Sequence, residues 1–246
     1  MSDRLGGLYS EFEHRIEQST RLCYAATTRE LQIEAVAALE AFKSQVSAHK
    51  AAAVAKQDEH SSNELLCAED MLQALIHELT MWISLKDDKP TEAWDSLVEA
   101  QTAAMGAIHA YALGANLPAY VERLDALEHL LFPPQVFMSA GVIIKRSHCS
   151  ICGAEYGDCD HLKGRVYMGR ECVRIIDSLD VREISIVPSP ANKHCRVVIL
   201  EEGGVKRDTM TKRVLTEGEA AALAGRTPVS DTGAVGVSGG VVGEQQ

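Results

Sequence analysis

The chain has 246 residues, enough for one large domain or two ordinary ones, and its 46% hydrophobic and 24% charged residues are those of a folded globular protein. No stretch approaches the ~20 consecutive apolar residues that cross a bilayer, so no membrane-spanning helix is expected. Residues 1–135 hold 10 Lys and Arg against 21 Asp and Glu, which accounts for the whole formal charge of −11, while residues 136–246 hold 14 of each; an acidic half repels phosphate backbones and disfavours nucleic-acid binding.

The start, Met1-Ser-Asp-Arg-Leu-Gly-Gly, lacks the charged-then-apolar pattern of a secretion signal. Seven cysteines form an odd number without disulfide-framework spacing. Both features predict a reducing, cytoplasmic setting.

Residues 4–132 read as helices. Leu5, Leu8, Phe12, Ile16 and Cys23 keep helical spacing, as do Ala35, Leu39, Phe42 and Val46. Leu65, Leu72, Leu75, Leu79 and Trp82 make a third stripe; Trp94, Leu97, Gln101, Met105, Ile108 and Ala112 make a fourth. Thr27-x-x-Glu30 and Ser61-x-x-Glu64 have the form of capping boxes. Asp87-Asp-Lys-Pro90 and Gly114-Ala-Asn-Leu-Pro118 separate helices, and Phe132-Pro-Pro134 ends the region, because proline cannot continue the hydrogen-bond ladder. About five helices joined by short connections predict an antiparallel bundle over residues 1–132.

Beyond Pro134 the pattern changes to short β-branched runs at 136–145, 181–187 and 195–201, with Glu202-Gly-Gly204 as a hairpin turn. Thr216-x-x-Glu219 is a third capping box, opening a short helix to Leu223. The expected fold class is therefore α+β. It comprises the bundle, a small β domain over 136–201, a hairpin and short helix over 202–224, and a disordered Gly- and Val-rich tail over 225–246.

Within the β region, Cys149-Ser-Ile-Cys152 and Cys159-Asp-His161 place four metal-ligand residues in thirteen positions around a six-residue loop. Two close pairs of soft ligands suit tetrahedral zinc, and a complete protein ligand set leaves no position for water, so the site reads as structural. Gly153 lets the backbone wrap so that amides point at the sulfurs. His148, Cys172, His194 and Cys195 lie outside the tight pairs and are alternative ligands, His148 foremost because it abuts Cys149.

Phe137-Met-Ser139-Ala-Gly141-Val and Glu183-Ile-Ser185-Ile-Val187-Pro-Ser-Pro190-Ala-Asn192 flank this metal loop. Together they resemble the C-terminal part of the phage prohead maturation proteases, some of which carry a Cys-x-x-Cys and Cys-x-His insert between the two strands. The likeness covers about residues 137–198 and leaves the helical half unrecognised. It implies phage or mobile-element ancestry, a nucleophile position at Ser139 and an orienting carboxylate at Glu183. The family places its catalytic His on an upstream strand; here the upstream sequence is helical, and its nearest histidine, His129, reads as part of a helix face.

A serine hydroxyl without a base is a poor nucleophile at neutral pH. The first reading is accordingly a non-enzymatic, zinc-stabilised protein interaction module, working with a protein partner or by self-association. The alternative is a serine endopeptidase using Ser139 and Glu183. A nucleic-acid module would require Lys145, Arg146, Lys163, Arg165 and Arg170 to form one basic face.

Overall fold

In the computed structural model, residues 2–225 are described. The class is α+β, and the described residues divide into two compact units, residues 2–131 with 162–172, and residues 132–161 with 173–225. The tail expected to be disordered lies, from residue 226, outside the described residues.

The first unit contains α1 (Ser2–Thr20), α2 (Arg29–Ala55), α3 (Glu59–Lys86), α4 (Pro90–Ala110) and α5 (Pro118–Leu131), with a short 3-10 turn at Ala112–Asn116. α3 is the central element, with apolar residues buried on more than one side. Leu65, Leu72, Leu75 and Leu79 join Phe12 of α1 and Leu39, Phe42 and Val46 of α2 in the main core. These are residues of the first three sequence stripes, so helical periodicity located that core. Trp82 and Trp94 are both buried, as are Cys23 and Cys67.

The fourth stripe differs from expectation. Along α4 the fully buried positions are Ala93, Leu97, Ala100, Ala104 and Ala107, spaced four, three, four and three residues apart, whereas Met105 is exposed. Small side chains on this line let two helix backbones approach, and close backbone packing outweighs the larger apolar area of Met105.

Two expected capping boxes do not form. α2 is capped by Thr28 without a side-chain bond, and α3 by Asp58, whose carboxylate accepts the Ser61 amide at 3.1 Å and the Ser61 hydroxyl at 2.7 Å. Ser61 is thus inside the helix, because a charged cap three residues earlier satisfies its amide. The third box does form, with Thr216 and Glu219 bonded reciprocally at the start of α6 (Glu217–Ala224).

One carboxylate is sealed in the helical unit. Glu78 on α3 is fully buried, and Arg123 on α5 grips it with two bonds of 2.7 and 2.6 Å while the Tyr120 hydroxyl donates to it at 2.9 Å.

The segment 162–172 also belongs here. Its hairpin, β2 (Val166–Tyr167) and β3 (Arg170–Glu171), turns through Met168 and Gly169, both at positive φ. That is the geometry of a two-residue type I′ turn. The Gly169 amide donates to Asn63 Oδ1 at 2.8 Å, and Val166 is buried against Cys67, Ala107 and Ala110. Sequence spacing places these residues in the β domain; one apolar side chain and one turn amide attach them to the helices instead.

The second unit is built on a long antiparallel ribbon of β1 (Phe137–Cys149) and β4 (Arg174–Val187). Both strands extend beyond the apolar runs seen in sequence, since residues 146–149 and 174–178 pair with each other although neither segment has a strong strand pattern alone. Register shifts follow Gly141, Ile144 and Arg146. β5 (Ile199–Glu202) and β6 (Val205–Asp208) form the expected hairpin, turning on Gly203 and Gly204 at φ +59 and +79. Among the described residues no helix is long and apolar enough to cross a membrane.

Candidate metal centre

β1 carries the chain directly into Cys149, which is fully buried. There the backbone folds back on itself. The Cys149 amide donates to the Ala154 carbonyl and the Gly153 amide to the Cys149 carbonyl, each at 2.9 Å. Gly153 takes φ +72, a conformation that L side chains resist. The Ile151 amide points at Cys149 Sγ at 3.4 Å, the orientation that favours a thiolate.

The far side of the turn is also held. The Ser150 amide donates to the Val173 carbonyl at 3.1 Å, and Ser150 Oγ accepts the Val173 amide at 2.9 Å. A second turn, closed by the Asp158 amide on the Glu155 carbonyl at 3.0 Å, brings back Cys159 and His161.

The result is one group: a ligand atom from each of Cys149, Cys152, Cys159 and His161, all within 4.8 Å of one another. Sulfurs about 2.3 Å from a tetrahedral ion stand about 3.8 Å apart, so the donor set has the size and chemistry to hold a single metal ion. Cys152 is exposed, Cys159 and His161 partly so. The Cys159 thiol is raised from its ordinary value, because the lowering effect of the His161 amide is outweighed by burial and by hydrogen bonds with Cys149 and Cys152. Thiols this close oppose one another's ionisation, and a divalent cation reverses that by binding them as thiolates.

The alternative ligands are not part of this group. His148 Nδ1 meets Asp177 Oδ1 across the ribbon at 2.9 Å. Cys172 is buried within the hairpin segment of the helical unit, and Cys195 is exposed beside β1. Two of the five basic residues are matched by carboxylates on β4, Lys145 by Asp180 at 2.7 Å and Arg146 by Asp177 at 4.0 Å.

Ser139 and Glu183 come together on the ribbon. Ser139 pairs with Ser185, and Glu183 pairs with Gly141, two residues along on the same face. A Cβ on Gly141 would stand 2.9 Å from Glu183 Cγ, so the glycine after Ser139-Ala makes room for that carboxylate arm. Of the histidines, His129 is on α5 in the other unit, and His148 is nine residues along β1 from Ser139, roughly 30 Å of extended chain.

His194, an alternative metal ligand by sequence, directly precedes a segment that lies beside β1. Along the other edge of β1 the Met138 amide donates to the Cys195 carbonyl at 2.8 Å, the Val197 amide to the Val136 carbonyl at 2.7 Å, and Phe137 bridges Arg196. The observed pairing ends at Cys195, and His194 is the residue just before it in the chain. The chain turns there, with Asn192 Oδ1 accepting the His194 amide at 2.9 Å. The only sequence signal was a histidine two residues past Pro-Ala-Asn192, and nothing in it revealed that 195–197 would pair with β1.

Comparison of the chain with family models, curated proteins and solved structures found no match.

Proposed function

We propose that this protein is a non-enzymatic interaction module, an antiparallel helical bundle joined to a β unit that one structural zinc ion locks in place. The observation that carries the reading is the convergence of Cys149, Cys152, Cys159 and His161 ligand atoms within 4.8 Å. Three thiolates and one imidazole favour zinc among common ions, and four protein ligands leave no position open for catalysis. When bound, the ion would supply a cross-link between the end of β1 and the returning loop. The work belongs to the surfaces so fixed, contacting a protein partner or a second copy in the cytoplasm. The resemblance around Ser139 and Asn192 then records phage or mobile-element ancestry of the β scaffold, without its chemistry.

Elemental analysis of protein purified without chelators tests this, with about one zinc per chain expected. Cys152→Ser should lose the metal and increase amide exchange along β1 and β4, with the helices unchanged, because metal binding and local folding are coupled. Metal-free protein with a fully protected ribbon would refute the reading.

A second reading, a serine endopeptidase, is favoured by the bond from the Met138 amide to the Cys195 carbonyl, which joins the chain neighbours of Ser139 and His194, with Glu183 on the same ribbon. In it His194 would take the Ser139 proton. A serine-directed fluorophosphonate separates the two. The first reading expects no labelling; labelling abolished by both Ser139→Ala and His194→Ala establishes the second.

A further inference from the structure

Antiparallel alternation gives the β1–β4 ribbon two unlike faces. One carries Ser139, Gly141, Glu183 and Ser185. The other carries three successive rungs, Met138 with Ile186, Ala140 with Ile184 and Val142 with Val181; the extra residue Arg182 is taken up by the register shift. All six of these side chains are apolar. Ile186 is 74% exposed, Ile184 69%, Val181 57% and Met138 47%.

Single exposed apolar residues are ordinary, but three successive apolar rungs on one face of a ribbon are not. Apart from the short pairing of 195–197 at one edge, the ribbon has two strands, too few for a stable layer without a packed partner over its hydrophobic face.

We propose that this face is the docking surface for a second copy of the same chain, packed face to face about a two-fold axis. This rests on the reading of the protein as an interaction module and names its partner. Three observations favour a copy of itself. The strip has no charge within its rungs, so it is complementary to itself, as a two-fold interface requires. It exposes apolar area on the order of 500 Å², which with its rim approaches the ~800 Å² per partner of a standard interface. The two ribbons would then form the sandwich of two sheets, about 10 Å apart, that each lacks alone.

Charge supplies a signature. Each chain carries −11, so two copies repel at long range while the apolar strips attract. Self-association should therefore hold or tighten as salt rises, whereas a basic partner on an acidic protein would be released.

Sedimentation equilibrium on the full chain, from roughly 1 to 100 μM at low and high salt, is the test. A dimer is expected, with affinity undiminished by salt. Ile184→Thr keeps a β-branched strand residue and should weaken dimerisation at least tenfold; Ile186→Lys should abolish it, with metal content and helicity unchanged in both. A chain that stays monomeric at the highest concentration overturns the proposal, as does a dimer indifferent to both substitutions. Should Ile186→Lys misfold, Ile184→Thr alone decides by the same tenfold criterion. A monomer that still binds one zinc removes only this inference, since the module reading is judged by its metal.

Discussion

Glu78 shows how one buried charge can hold two helices. Its carboxylate is fully enclosed, so both oxygens depend on Arg123 and Tyr120 for the hydrogen bonds that water would otherwise provide. That pairing raises the Arg123 guanidinium above its ordinary value although burial alone would lower it. Arg123→Met should cost about 3–5 kcal/mol in urea unfolding, because it leaves the carboxylate uncompensated. Replacing Glu78 by Met as well should recover at least half of that, because a well-packed apolar pair substitutes for a buried ionic one.

Asp70 is the opposite case. Burial and the neighbouring Glu69 push its carboxyl up to about 7, with Glu171 adding to the effect and Lys50 and Lys43 opposing it. The raised value means that the folded state holds this proton more tightly than the unfolded chain, whose value is 3.8. Its contribution to stability is therefore fully present below pH 4 and is lost as pH rises through 7. Asp70→Asn removes the charge at constant shape. It should be more stable than the parent by on the order of 2–3 kcal/mol at pH 8, with the difference closing toward pH 4 in parallel thermal melts. A constant difference across that range would exclude titration of Asp70 as the cause. None of the apolar stripes pointed to either carboxylate, since periodicity reports which face of a helix is apolar and not which charged residue is enclosed on it.

Among the elements, the hairpin at 166–171 depends most on a single position. Gly169 has φ +70, and a Cβ there would stand 3.1 Å from the Ser62 carbonyl oxygen. Gly169→Ala should destabilise the helical unit by about 1–2 kcal/mol and raise amide exchange at 162–172, leaving β5 and β6 untouched. The capping sites carry the same lesson from the other side. Thr216-x-x-Glu219 forms its box because no stronger acceptor precedes it, whereas Ser61-x-x-Glu64 loses to Asp58. The motif is local, but the outcome depends on which neighbour reaches the free amides first.

At the scale of the whole chain, the break at Phe132 coincides with the end of α5, while the return of 162–172 to the helical unit was invisible in sequence. A protein ending at Phe132 should still be strongly helical and melt cooperatively. It should be less stable than the helical unit of the full chain by about 1.5–3 kcal/mol, the value of burying Val166 against Cys67, Ala107 and Ala110. Equal stability by urea titration with helical signal would show that the hairpin rests on the helices without supporting them.

Read alone, the residue order determined what is periodic or covalently close. Helical spacing located the core of Leu39, Phe42, Leu65, Leu72 and Leu79, and the two short pairs located the group of Cys149, Cys152, Cys159 and His161. Both follow from contacts within a few turns or one loop, where spacing nearly fixes geometry. Tertiary structure decided the rest: that α4 packs on alanines, that Glu78 and Arg123 meet across 45 positions, that Val166 packs on the helices, and that residues 195–197 line the start of β1. Each joins residues remote in sequence. Such contacts are selected by mutual fit of volume, charge and backbone hydrogen bonds, and those properties belong to pairs of surfaces that exist only once the chain has folded.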